Sequence, residues 1–197
     1  MIRLLTSGES HGKGISAIID GLPAGVKIDL RFINHELKRR QHGYGRGPRM
    51  AIEEDQVEIL SGIRNGKTIG TPIGLFIPNK DYQTWQAIMA IERRVKGSKV
   101  SSPRPGHADL SGLLKYGFDD IRNVIERASA RETVAKVAAG AIFKLFLKEF
   151  RIKIYSHTIA IGKISIKEKN RHFDRLDKTP LRCVDTKREM MMIQLIN

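Results

Sequence analysis

Residues 126–150 read ERASARETVAKVAAGAIFKLFLKEF, and their periodicity decides the fold. Val134, Val137, Ala138, Ala141, Ile142, Leu145 and Phe146 recur at helical spacing and form an apolar stripe. Ser129 followed by Glu132 has capping-box spacing, so Ser129 is the predicted N-cap. A long helix thus begins inside an arginine-rich segment. Arg127 and Arg131 flank backbone N–H groups at the positive end of that helix, a geometry suited to holding an anion. The plain alternative is an ordinary capped helix with solvated arginines.

Working outward from this helix, the chain alternates strand and helix signals. Upstream lies a loop through Ser101 to Gly106. Residues 57–63 and 68–77 are β-like runs separated by Arg64, Asn65, Gly66 and Lys67, whose Asn-Gly pair predicts a hairpin. From Asp29 the positions Leu30, Ile33 and Leu37 recur at helical spacing behind an N-cap, and this helix carries Arg39 and Arg40 to its C-terminal end. Residues 2–5 and 15–20 are short apolar runs that read as strands around a glycine loop. Downstream, 152–161 read as a strand and 163–166 as a shorter one. The pattern is mixed α and β, with no internal repeat and no low-complexity linker, and the length suits one sizeable core or two small ones.

Composition narrows the partners. At 197 residues and 41% hydrophobic, the chain can bury a sizeable core. The lone Cys183 forms no intrachain disulfide, and the N-terminus lacks a basic-then-apolar secretory run, so a cytoplasmic location is expected. Lys136, Lys144 and Lys148 interrupt the most apolar stretch, so no membrane span is expected. The net charge of +14 favours anions in general: nucleic acid, anionic membrane surface or phosphorylated metabolite. Nucleic-acid binders interleave basic stripes with stacking aromatics, whereas aromatics here are 6% and sit in apolar surroundings, as at Phe143 and Phe146. A phosphorylated small molecule fits better, and a nucleic-acid partner is not expected.

The charge concentrates in glycine- or arginine-rich knots: GESHGKG at 8–14, RRQHGYGRGPRM at 39–50, RPGHAD at 104–109 and ERASARET at 126–133. Each sets arginine or histidine among small residues that let the backbone approach a ligand, as phosphate sites require. His11 and His107 lie between small residues on loops rather than on an apolar face, and both are exposed-loop candidates for proton transfer. Taken singly, either could be a surface or hydrogen-bonded structural histidine. His35, His42, His157 and His172 carry no such context. Six histidines and one cysteine form no zinc-ligand cluster and no HExxH occurs, so no metal site is expected. The glycines at 43, 45 and 47 match neither the Walker A nor the dinucleotide fingerprint, and Ser10 lacks nucleophile-elbow spacing.

Together these knots, with IEEDQVEILSGIRNGKTIGTPIGLFIPNKD and RPGHADLSGLLKYGFDDIRNVIERASARET between and around them, resemble the N-terminal part of the chorismate synthase family. The likeness continues weakly to RCVD at Cys183 and covers the chain to about residue 190. Ser16 and Lys136 stand where the family usually has other residue types.

The resemblance implies a lyase of the shikimate pathway, serving aromatic amino-acid biosynthesis. It removes phosphate from 5-enolpyruvylshikimate 3-phosphate by an anti 1,4-elimination that needs reduced FMN and gives chorismate. It implies that His11 protonates the departing phosphate and that His107 protonates or positions the reduced flavin. Arg40, Arg46 and Arg131, with Arg49, bind the substrate's phosphate and carboxylates, and Arg127, Ala128 and Ser129 contact FMN. The flavin is reduced either by NADPH on the enzyme or by an external reductase. The implied fold is a β-α-β sandwich of two related halves with helices inside and sheets outside, assembled as a homotetramer. Family members are longer, so the resemblance implies one partial α+β domain over residues 1–197, the N-terminal portion of that sandwich with its C-terminal part missing. An inactive truncated remnant that keeps anion or flavin binding without turnover is the alternative.

Overall fold

In the computed structural model, residues 1–45, 54–92, 99–166 and 173–197 are described. Strands β1 (Arg3–Gly8), β2 (Gly14–Asp20), β3 (Glu58–Ile59) and β6 (Ile73–Pro78) form an antiparallel sheet in the order β1-β2-β6-β3. Small hairpins add β4 (Ile63–Arg64) with β5 (Lys67–Thr68), and β7 (Ala160–Ile161) with β8 (Ile164–Ser165). The helices are α1 (Leu30–Gln41), α2 (Tyr82–Trp85), α3 (Asp109–Tyr116), α4 (Arg122–Arg127), α5 (Thr133–Glu149) and α6 (Thr186–Ile196). Short 3-10 turns span Ala130–Glu132 and Phe173–Lys178.

The core forms where one face of the sheet meets α1 and α5. Strand period two sends Ile15, Ala17 and Ile19 of β2 to the same side, and the antiparallel register sets them opposite Ile77, Leu75 and Ile73 of β6. All six are buried. Ile33 and Leu37 of α1 and Val134, Ala138, Ile142 and Leu145 of α5 close the layer. Each fully buried Ile or Leu contributes about 1.5–3 kcal/mol of transfer free energy. The alanines of α5 let that helix lie close against both the sheet and α1. On the outer face Leu5 pairs with Ile18, and both side chains are exposed. Among the described residues, no helix is long and apolar enough to cross a membrane.

Local signals acted where one short-range bond sufficed. Asp29 caps α1 by accepting from the backbone of Arg31 and Phe32. Asn65 and Gly66, at φ of 50° and 70°, turn the β4–β5 hairpin in left-handed backbone.

Elsewhere the structure departs from the sequence reading. Ser129 caps the 3-10 turn rather than α5 itself, accepting from Arg131 N at 3.2 Å. Glu132 does not close a capping box; its carboxylate takes the Thr6 hydroxyl at 2.9 Å and the Lys136 ammonium at 2.9 Å. A tertiary partner, Thr6, and the next-turn neighbour Lys136 outcompeted the capping bond. The run 57–63 breaks at Gly62, whose φ of +83° disfavours any side chain and where a Cβ would lie only 2.7 Å from Ile73 Cα. Of the run 152–161 only Ala160–Ile161 pairs as strand, with the two-residue β8.

Candidate functional site

Two turns converge at the end of the sheet. The first is the loop 9–13 between β1 and β2; the second is the segment 126–133 between α4 and α5. They are bound backbone to backbone, Ser10 N donating to Glu126 O at 3.0 Å. Their side chains add Ser10 Oγ to Ser129 Oγ at 2.9 Å. Glu126 is buried, and its Oε2 accepts from His11 N at 2.8 Å. Its Oε1 lies 2.9 Å from His11 Nδ1.

His11 is therefore not the exposed-loop residue its neighbours suggested. Its side chain is 18% exposed, and its ring lies 4.0 Å from the Trp85 ring at 32°. A buried carboxylate and an aromatic plane hold it from two sides. Arg122 supports both, with its Nη1 3.6 Å from Glu126 Oε1 and its guanidinium 5.5 Å from the Trp85 ring.

Asn79, directly after β6, ties the loop to the arginines. Its Nδ2 donates to the carbonyls of Glu9, Ser10 and Gly12 at 3.0, 3.2 and 2.7 Å. Its Oδ1 accepts from Arg131 Nε at 2.7 Å. Arg131 also donates to Pro78 O at 3.1 Å and to Asp55 Oδ1. Asp55 Oδ2 in turn accepts from Arg40 Nη1 at 3.3 Å, and Arg40 reaches Ala130 O at 3.1 Å and Thr133 Oγ1 at 3.2 Å. A continuous set of polar contacts thus runs from His11 to Arg40, joining residues far apart in sequence.

Arg127 bridges to β1, donating to Gly8 O at 2.8 Å and Thr6 Oγ1 at 3.0 Å, and stands 3.7 Å from Glu132. Burial opposes ionisation of Glu132, but Lys136, Thr6 and Arg127 together hold its carboxyl below the usual range. Ala128 ends α4, its N–H donating to Val124 O at 2.8 Å.

His107 occupies an exposed turn before α3, and the contacts that join His11 to Arg40 do not include it. That turn is anchored by Arg104, which donates from Nε and Nη2 to Asp109 at 2.8 and 2.9 Å, and from its backbone N at 2.9 Å. The Arg104 guanidinium holds the buried Asp109 carboxyl down to about 2. Arg46 and Arg49 lie outside the described residues.

The family model for chorismate synthase matches residues 2–197. The chain belongs to the chorismate synthase family. It is 52% identical to chorismate synthase of Alkaliphilus metalliredigens over 202 residues, covering 100% of this chain and 53% of that protein. With chorismate synthase of Aquifex aeolicus the identity is 57% over 169 residues, 85% of this chain and 42% of the relative. A crystal structure of chorismate synthase superposes with a TM-score of 0.76 at 40% identity, over 99% of this chain and 52% of that one. The chain spans about half the length of the relatives it matches, and its α+β fold is that of the matching part of a chorismate synthase.

Within this chorismate synthase framework, the motif residues His11, Arg40, Arg127, Ser129 and Arg131 meet at one place. Sequence reading did not single out Glu126, Asn79, Asp55, Trp85 or Arg122. Asp55 and Glu126 had one usable signal: carboxylates embedded among basic motifs must be held by them. Asn79 and Trp85 had none, because their roles arise from contacts that cross between elements.

Proposed function

We propose that the chain carries the phosphate-eliminating site of a chorismate synthase, acting as a lyase on 5-enolpyruvylshikimate 3-phosphate and yielding chorismate and phosphate for aromatic amino-acid biosynthesis. The observation that carries this reading is the set of polar contacts from His11 through Asn79 and Arg131 to Arg40. Guanidiniums held rigidly beside a histidine are what a dianionic leaving group needs, since oriented donors require no reorganisation as charge develops.

In this reading Arg40 and Arg131, with Arg46 and Arg49, bind the phosphate and carboxylates. Asp55 and Asn79 keep the first two in register. His11 delivers a proton from Nε2 to the departing phosphate oxygen as the ring C–O bond breaks. His107 faces the flavin.

Arg127, Ala128 and Ser129 would hold FMN, and the donor set suits its phosphate: the Arg127 side chain is 39% exposed, and a guanidinium pairs with a phosphate through charge-assisted hydrogen bonds. The chemistry that reduced FMN would supply there is transient electron density for the substrate ring and a base for the ring proton. Reduction comes from NADPH on the protein or from a separate reductase. A cytoplasmic homotetramer completes the reading.

The test is an anaerobic assay of the purified chain with reduced FMN and 5-enolpyruvylshikimate 3-phosphate. Phosphate and chorismate appear together, and His11→Ala abolishes both. Release that survives His11→Ala removes the histidine's role. Binding without release reduces the site to an anion-binding remnant.

A further inference from the structure

Glu126 is the one acid of α4, and it does two things to one loop. Its backbone carbonyl accepts from Ser10 N at 3.0 Å, and its side chain accepts from His11 N at 2.8 Å. At 2% exposure the carboxylate is shut from water, so its oxygens must be satisfied by protein donors. His11 Nδ1 lies 2.9 Å from Oε1 and 3.0 Å from Oε2. Arg122 stands 3.6 Å away, one helical turn back, and offsets the negative charge.

We propose that Glu126 is a positioning residue for His11: it fixes the imidazole in the Nδ1–H tautomer and so makes Nε2 the nitrogen that exchanges protons with the ligand. An ionised carboxylate only accepts, so the nitrogen facing it carries hydrogen. Trp85 at 4.0 Å limits the ring from one side, which leaves rotation about the Cβ–Cγ bond little room. The carboxylate and the aromatic ring together set both the tautomer and the plane. The catalytic weight of this arrangement rests on the proton-donor reading of His11 given above; the tautomer itself does not.

The chain labelled with 15N-histidine, observed by long-range proton–nitrogen correlation at about pH 8, reads tautomers directly for neutral imidazoles. Loss of one ring's signals in His11→Gln assigns His11. The Nδ1–H form is expected in the unmodified chain, against the Nε2–H form that free histidine favours. Glu126→Gln preserves size but has a single acceptor oxygen. That oxygen stays with His11 N–H, the amide NH2 turns to Nδ1, and the imidazole inverts to Nε2–H. An Nε2–H form in the unmodified chain overturns the proposal whatever the variant does. So does an unaltered tautomer in folded Glu126→Gln. If Glu126→Gln fails to fold, Glu126→Asp keeps the carboxylate and is expected to retain the Nδ1–H form; Nε2–H there overturns the proposal.

In the phosphate-release assay, Glu126→Gln lowers kcat by about 100-fold or more with KM little altered, and Glu126→Asp recovers part of it. Equal kcat in both variants with an inverted tautomer in Glu126→Gln refutes the functional half alone. An inverted tautomer with no turnover from any form, the unmodified chain included, counts against the elimination reading and upholds the positioning contact.

Discussion

Asn79 and Arg131 are locked together by a 2.7 Å hydrogen bond from Arg131 Nε to Asn79 Oδ1, while the same asparagine holds three carbonyls of the His11 loop. One buried amide therefore sets the distance between the His11 loop and Arg131.

Asn79→Ala is the direct test of that coupling. It removes the side-chain donor to three loop carbonyls and the acceptor of one guanidinium N–H, and a buried group left unpaired costs about 1–3 kcal/mol. Stability falls by about 3 kcal/mol or more, read as a lower urea midpoint. A loss below about 1 kcal/mol would show that the loop holds its shape without Asn79.

Asp55→Ala removes the carboxylate shared by Arg40 and Arg131. Breaking such a buried pair costs about 3–5 kcal/mol. The denaturation midpoint drops accordingly, and affinity for the phosphorylated substrate weakens because the two guanidiniums lose their common anchor. An unchanged midpoint would mean that Asp55 does not hold the pair.

The Arg104–Asp109 contact makes acid sensitivity predictable at the His107 turn. Asp109 has its folded value lowered from 3.8 to about 2, so its contribution is present above the unfolded value and is lost as pH falls from the first figure toward the second. Amide signals of residues 104–109 should shift over that window, and Asp109→Asn should remove the transition. A transition that persists in Asp109→Asn would assign it to another carboxyl.

How much of this was legible in the sequence depends on range. Asp29 and the Asn65–Gly66 pair acted through bonds within a few residues, and their expected cap and turn are present. Ser129 and Glu132 satisfied a local pattern too, yet Thr6 and Lys136 claimed the glutamate and left Ser129 to cap a 3-10 turn. The motifs marked His11, His107, Arg40, Arg46, Arg49, Arg127, Ala128, Ser129 and Arg131 as a group, of which the contacts described join His11, Arg40, Arg127, Ser129 and Arg131. Their convergence depends on Asn79 and Asp55, whose bonds to Arg131 cross 52 and 76 positions, and no local pattern reports such a distance. The half-buried state of His11 was hidden for the same reason, since Glu126 lies 115 positions away.

The measurement that tests the central claim most directly is a calorimetric titration of the chain with 5-enolpyruvylshikimate 3-phosphate, repeated with Arg40→Gln. The account predicts saturable binding at one site per chain, weakened about 10- to 100-fold in the variant, since a charge-assisted hydrogen bond contributes about 1.5–3 kcal/mol. No saturable binding, or the same affinity in folded Arg40→Gln, would contradict it.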